Sequence, residues 1–146
     1  MSLTLDVAAF VAKAKKNPET VMRQVSFKLF SAIIKGSPVG EIDGGRFRYN
    51  WQAAGVSPET GILEGRDKQG NATVERMKGI IFGLKDWSEF TLANNLPYAN
   101  VLEYGGYPGD GPNTTGGYSK QAPQGCVRVN VARFNTLLAE EAAKLK

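Results

Sequence analysis

The chain has 146 residues, a formal net charge of +4, and apolar side chains at 42% of its positions. It contains no histidine and one cysteine, which excludes His-based catalytic triads, His-ligated zinc and haem sites, and an internal disulfide. The length predicts one domain with a single core, no apolar run is long enough for a transmembrane helix, and the first residues lack the pattern of a secretory signal.

Two helices are predicted before residue 37. The first covers residues 6–16, where apolar side chains recur with helical spacing. The second covers residues 18–35, because Asn17 and Pro18 form a typical helix start and Gly36 lies just past the end. Its apolar residues form stripes on two sides, which indicates a helix that is either central in its domain or buried in an assembly.

Aromatic and polar side chains alternate between residues 46 and 52. The aromatic positions are Phe47, Tyr49 and Trp51, and the polar positions are Arg46, Arg48, Asn50 and Gln52. This alternation predicts a half-buried strand whose aromatic side faces the second and C-terminal helices. The polar side either faces solvent, which is the favoured interpretation, or follows a phosphate backbone.

Further elements are predicted as a helix over 71–84, a strand over 87–93 and a short helix over 97–104. Residues 105–125 contain seven glycines and three prolines, and a loop this long in a small domain usually has a function. Beyond it, two alternatives stay open for residues 127–145. A strand can lead into a helix near residue 131, or one long helix can cover the segment.

The polar residues do not form a recognisable catalytic or metal-binding set. Residues 67–75 lack the acidic spacing of a calcium loop, and the Gly-rich run at 109–117 lacks the Lys-Ser/Thr ending of a P-loop. Four acidic residues lie near Gly-rich turns, and no spacing pairs them; they are Glu41, Asp43, Glu103 and Asp110. Cys126 is expected to be a small buried apolar residue. We therefore expect no enzymatic activity, no metal and no cofactor.

Three blocks of the sequence resemble a family of bacteriophage structural proteins. The blocks are SPV, GRFR and NW within 37–51, NNLPYA and LEYG within 94–105, and QAPQG and VRV within 121–129. They occur in the family's order and lead into a terminal helix. The family comprises tail components and neck proteins of long-tailed phages. The chain departs from the family in two loops, which are longer here at residues 40–45 and 106–119.

The resemblance implies an α+β subunit, with residues 1–146 as one domain built from N-terminal helices, a short antiparallel sheet and a C-terminal helix packed on that sheet. It implies a virion protein of the neck or tail, made in the cytoplasm of the bacterial host. The subunit would form a homo-oligomeric, six-fold ring that joins head and tail. Its neighbours would be head-closure or connector proteins and the tail tube, with genomic DNA passing through the lumen without sequence-specific binding.

Five residues are candidates for interfaces, namely Arg46, Arg48, Tyr107, Tyr118 and Lys120. The two tyrosines are the large side chains of the loop 105–125, and Lys120 is its positive charge. We expect this loop to be mobile in the free subunit and ordered by contact in the assembly. The alternative function is a non-enzymatic nucleic-acid-binding module that uses the Arg46/Arg48 face.

Overall fold

The computed structural model describes residues 1–6, 17–41, 44–108 and 110–144. Within these residues the chain forms six helices and a short antiparallel sheet, which confirms the predicted α+β fold class. The helices are α1 Pro18–Lys35, α2 Arg46–Tyr49, α3 Asn71–Gly83, α4 Ala99–Tyr104, α5 Val127–Val131 and α6 Phe134–Ala143. The strands are β1 Ser2–Asp6, β2 Gln52–Ala54, β3 Glu89–Ala93, β4 Thr114–Thr115 and β5 Tyr118–Ser119.

Helix α1 is central in the domain, which is one of the two alternatives predicted for a helix with two apolar sides. It begins at Pro18 as predicted, and the N–H of Gly36 closes its last turn on the carbonyl of Ala32. Helices α3, α5 and α6 all pack against it. Its buried residues are Val21, Met22, Val25, Ser26, Leu29, Phe30, Ile33 and Ile34. Both apolar stripes are therefore satisfied within one chain.

The main sheet has the order β1–β3–β2 and is antiparallel throughout. Leu92 of the central strand pairs with Leu3 on one side and with Ala53 on the other. Strand β1 was not predicted, and Asp6, where a helix was expected to begin, pairs with Glu89 at the end of the strand. The rest of that predicted helix, residues 7–16, lies outside the described residues.

The strand predicted over residues 46–52 is wrong, because residues 46–49 form the helical turn α2 and β2 begins only at Gln52. Phe47 and Trp51 are both buried, with ring centroids 5.5 Å apart, while Tyr49 is half-buried beneath the guanidinium of Arg76. Phe47 and Trp51 are four positions apart, so a helical turn places them on one side. Because four is also an even number, the same two positions fit the alternation of a strand. The polar residues consequently do not share one strand face.

The helix predicted over 71–84 is confirmed as α3, the strand over 87–93 as β3, and the helix over 97–104 as α4. The C-terminal segment follows neither predicted alternative, since it forms two helices, α5 and α6, separated by a turn. The sequence placed the last helix on the sheet, and in the structure its main contact is α1. Lys28 and Glu141 join α1 and α6 by an ion pair.

The loop 105–125 contains a small hairpin. Strands β4 and β5 pair around Gly116 and Gly117, whose φ angles of 60° and 85° are those that favour glycine in a tight hairpin turn. The N–H groups of Gly106 and Tyr107 both donate to the carbonyl of Gly117, which ties the hairpin to the end of α4.

Among the described residues, no helix combines the length and apolar character needed to cross a membrane.

Candidate interaction surface

A cleft of about 480 Å³ opens between the segment that precedes α2 and the loop that follows α4. Residues 38–41 and 44–47 contribute one set of lining groups, and residues between 107 and 121 contribute another. Arg66, Tyr98 and Leu102 complete the lining. The cleft therefore contains Arg46 and Tyr107, two of the five predicted interface residues, and brings them together from distant parts of the sequence.

A reciprocal pair of hydrogen bonds joins the two sides of the cleft. The N–H of Val39 donates to Oε1 of Gln121 at 2.8 Å, and Nε2 of Gln121 donates to the carbonyl of Val39 at 2.6 Å. Because a side-chain amide offers both an acceptor and a donor, Gln121 satisfies both backbone groups of Val39, as a neighbouring strand would. This contact connects the first resembled block of the sequence with the third.

The cleft lining is rich in hydrogen-bond donors. Burial raises the pKa of the Tyr98 hydroxyl, the positive charge of Arg46 opposes this rise, Tyr107 adds to it, and Arg66 opposes it. The charges of Arg46 and Arg66 and the hydroxyl of Tyr107 therefore lie close enough to Tyr98 to change its pKa. Glu41, an exposed acid, lines the same cleft. Guanidinium and phenol groups donate hydrogen bonds to carboxylate and carbonyl oxygens. Because a segment of protein chain presents both kinds of oxygen, the cleft suits contact with another protein segment.

Arg48 is half-buried, and its guanidinium is bound to backbone groups of its own chain. Its guanidinium donates to the carbonyls of Lys35 at 2.9 Å, Ser37 at 2.6 Å and Lys68 at 2.6 Å. Burial lowers the pKa of Arg48, and the charge of Asp67 opposes this. Arg48 therefore ties the end of α1 to the loop before α3, and the paired Arg46/Arg48 face on which the nucleic-acid alternative relied is not formed.

The structure engages both loop tyrosines within their own chain. Tyr107 packs against the core, and the hydroxyl of Tyr118 accepts a hydrogen bond from Arg128 at 3.2 Å. Lys120 has an exposed side chain, and its N–H donates to the carbonyl of Asn113 at 2.9 Å. The structure thus gives the three residues different local surroundings. Their contact with a neighbouring subunit, and the mobility of the free loop, stay predictions.

Glu103 organises a buried polar site that sequence reasoning did not find. Its carboxylate is fully buried and accepts the backbone N–H groups of Cys126, Val127 and Arg128, each at 2.8 Å. Arg128 also donates its Nε to this carboxylate at 3.1 Å and its Nη2 to the Glu103 carbonyl at 2.6 Å. A Cβ at Gly125, where φ is 82°, would lie 2.6 Å from that carbonyl oxygen. The only local signal was an acid within a short apolar helix.

Cys126 is buried, as predicted. Burial raises its pKa to about 12, with the charge of Glu103 adding to the effect. A thiol with such a pKa is protonated at neutral pH, and the thiolate is the reactive form. Among the described residues, no three His, Cys, Asp or Glu side chains cluster as a metal site would require.

Comparison of the chain with protein-family models, with curated proteins and with solved structures gives no significant match.

Proposed function

We propose that this chain is a structural subunit of a phage virion, assembled as a ring at the junction of head and tail. Its partners would be further copies of itself, head-closure or connector proteins on one side and the tail tube on the other. Genomic DNA would pass through the lumen without sequence-specific binding. In this proposal the protein works by assembly, without catalysis.

The observation that supports the proposal is that the three resembled blocks contact one another. Within the first block, Nε1 of Trp51 donates to Oγ of Ser37 at 2.8 Å. From the second block, Nδ2 of Asn94 donates to the carbonyl of Phe47 in the first at 2.8 Å. The contacts of Glu103 and Gln121 described above join the third block to the other two. The likeness thus involves residues that hold one domain together, which is what a shared fold requires.

The roles of the polar groups also suit a scaffold. Arg48 and Glu103 both direct their charges at backbone groups of the same chain, and Asp67 accepts from the N–H groups of Gly70 and Thr73. Such contacts fix loops in place and leave these side chains little freedom to act on a substrate. The nucleic-acid alternative has less support, because the guanidinium of Arg48 donates to three backbone carbonyls of its own chain.

The test is the composition of particles. Deletion of the gene from the phage or prophage genome that encodes it should yield filled heads and separate tails in place of infectious virions. Expression of the chain in trans should restore infectivity, and mass spectrometry of purified virions should find the protein. Virions that form normally without the gene, or that do not contain the protein, would overturn the proposal. Tight, salt-dependent binding of DNA by the free chain would then favour the alternative.

A further inference from the structure

Exposed apolar side chains are concentrated in two short segments. Among the described residues, six large hydrophobic side chains are exposed, and four of them lie in these segments. Val56 and Ile62, exposed by 55% and 45%, belong to the loop that follows β2, while Val129 and Val131, exposed by 43% and 37%, belong to α5. A small protein does not need to display aliphatic residues in pairs, so both segments are candidates for contact.

The two segments have opposite charge. Residues 56–64 carry Glu59 and Glu64, both exposed, and no basic residue. Residues 127–133 carry Arg128 and Arg133, both exposed, and no acidic residue. Arg128 already forms an ion pair with Glu103 of its own chain, although its side chain is half-exposed, so Arg133 is the main basic group that the segment presents. The acidic charges of residues 56–64 complement this basic segment.

The loop 56–64 is fixed in position although it contains no regular secondary structure. Asn50 accepts the N–H of Leu63 at 2.7 Å and donates to its carbonyl at 3.1 Å. Gln52 donates to the carbonyl of Gly61 at 2.7 Å, and Asn95 donates to the carbonyls of Glu59 and Gly61 at 2.9 and 3.0 Å. An anchored loop loses little conformational entropy when it binds, which favours association.

The segment 127–133 is equally well supported. The carboxylate of Glu103 holds the N–H groups at its start, and Asn130 on its inner side is buried and donates to the carbonyl of Cys126 at 2.6 Å. The outward side then carries Val129 with Arg133 four positions later, and Arg128 with Val131 three positions later. Arg128 and Val131 lie beside each other on one turn of α5, while Arg133 follows in the turn after the helix ends at Val131.

We infer that the acidic loop 56–64 of one copy docks on the basic face 127–133 of the next copy, in a head-to-tail contact. The contact uses two different surfaces of one chain, which is the arrangement that generates a ring when the rotation between copies closes. The exposed aliphatic side chains of the two segments would pack against each other, with the Glu–Arg pairs beside them. This inference rests on the proposed function, since it names the surfaces by which the ring would form.

Cysteine cross-linking tests the contact. The variants carry Ile62→Cys, Val129→Cys or both, and each is expressed during phage growth in place of the wild-type protein. A short bismaleimide is then added to purified particles and, separately, to the concentrated free chain. The wild-type chain controls for the buried Cys126. The double variant Phe82→Cys/Val129→Cys is the matched control, because Phe82 is exposed by 39% but lies outside both segments.

The expected result is a ladder of covalent oligomers from the Ile62→Cys/Val129→Cys chain and none beyond background from the Phe82 control. Mixed single variants should give dimers, and each single variant alone should give none. Particles that contain the chain without a ladder, or single variants that cross-link to themselves, would overturn the docking and leave the proposed function intact. Particles without the chain would overturn the proposed function. In that case the free chain would test the contact: a ladder of the double variant would support the docking, and its absence would overturn it.

Discussion

Replacement of Glu103 measures how much stability one buried carboxylate contributes. Oε2 accepts from Cys126 and Val127, and Oε1 accepts from Arg128. Glu103→Gln keeps the length but has only one acceptor oxygen, so its NH₂ group must face at least one backbone N–H. A buried donor left unpaired costs about 1–3 kcal/mol, and we expect a loss of about 2 kcal/mol for Gln and about 3–5 kcal/mol for Ala.

Urea unfolding followed by tryptophan fluorescence measures these losses. A small domain has a free energy of unfolding of roughly 5–15 kcal/mol, so the Gln variant should remain folded even where the Ala variant does not. Glu75→Gln on the exposed side of α3 is the matched control and should change stability by less than about 0.5 kcal/mol. Arg128→Met separates the ion pair from the backbone contacts, and we expect a clearly smaller loss than for Glu103→Gln.

The reasoning would be refuted by a Glu103→Gln variant as stable as Glu75→Gln. It would also be refuted if Arg128→Met lost as much stability as Glu103→Gln, because the exposed guanidinium, and not the three backbone N–H groups, would then be the important partner.

Four further predictions concern stability, pH dependence and the hairpin loop. Trp51→Ala should cost about 3–5 kcal/mol in urea unfolding followed by circular dichroism, because the side chain is 1% exposed, and a loss below about 1 kcal/mol would contradict its buried position. Burial opposes ionisation of Asp67, but hydrogen bonds from the start of α3 and the charge of Lys35 outweigh it and lower the pKa. Asp67→Asn should therefore be less stable than the wild type at pH values above about 3.9, the pKa of an unfolded aspartate. The difference in stability should vanish as the pH falls through the lower pKa that Asp67 has in the folded protein. A difference that stays unchanged in acid would contradict this. The pKa of Cys126, raised to about 12, should make stability fall as the pH rises above about 9, where only the unfolded thiol ionises, and the wild type should fall more steeply than Cys126→Ala. Hydrogen exchange of residues 106–120 should slow on assembly, and equal, strong protection in the free chain would show that the loop belongs to the domain alone.

Local signals predicted the elements whose ends are marked in the sequence. Helix α1 was found because Pro18 and Gly36 bracket an apolar repeat, and α3 was found from its spacing despite two internal glycines. The segment 46–52 was assigned wrongly because aromatic residues at 47, 49 and 51 fit alternation as well as a turn. The side chain of Asn50 supports the turn by donating to the carbonyl of Arg46, which no periodicity reveals.

The candidate surface was only partly predictable, since its geometry depends on partners far along the chain. Arg46 and Tyr107 were predicted separately as interface residues, and they do line one cleft. Arg48, in contrast, donates its hydrogen bonds to carbonyls of two loops that are distant in the sequence. The partners of Glu103 lie more than 20 residues away, so no local motif could name them. The exposed valines of α5 became visible only when the fold showed which side of that helix is buried.

The order of the main sheet also determines when the protein can fold during its synthesis. The central strand β3 comes after both of its neighbours, so β1 and β2 have no strand to pair with until residues 89–93 have left the ribosome. Glu103 must then wait for residues 126–128 before its carboxylate is satisfied. Contacts of this sequence separation slow folding and favour completion after translation. A nascent chain would therefore expose its unpaired strands for most of its synthesis, and this is the stage at which aggregation or chaperone binding would compete with folding.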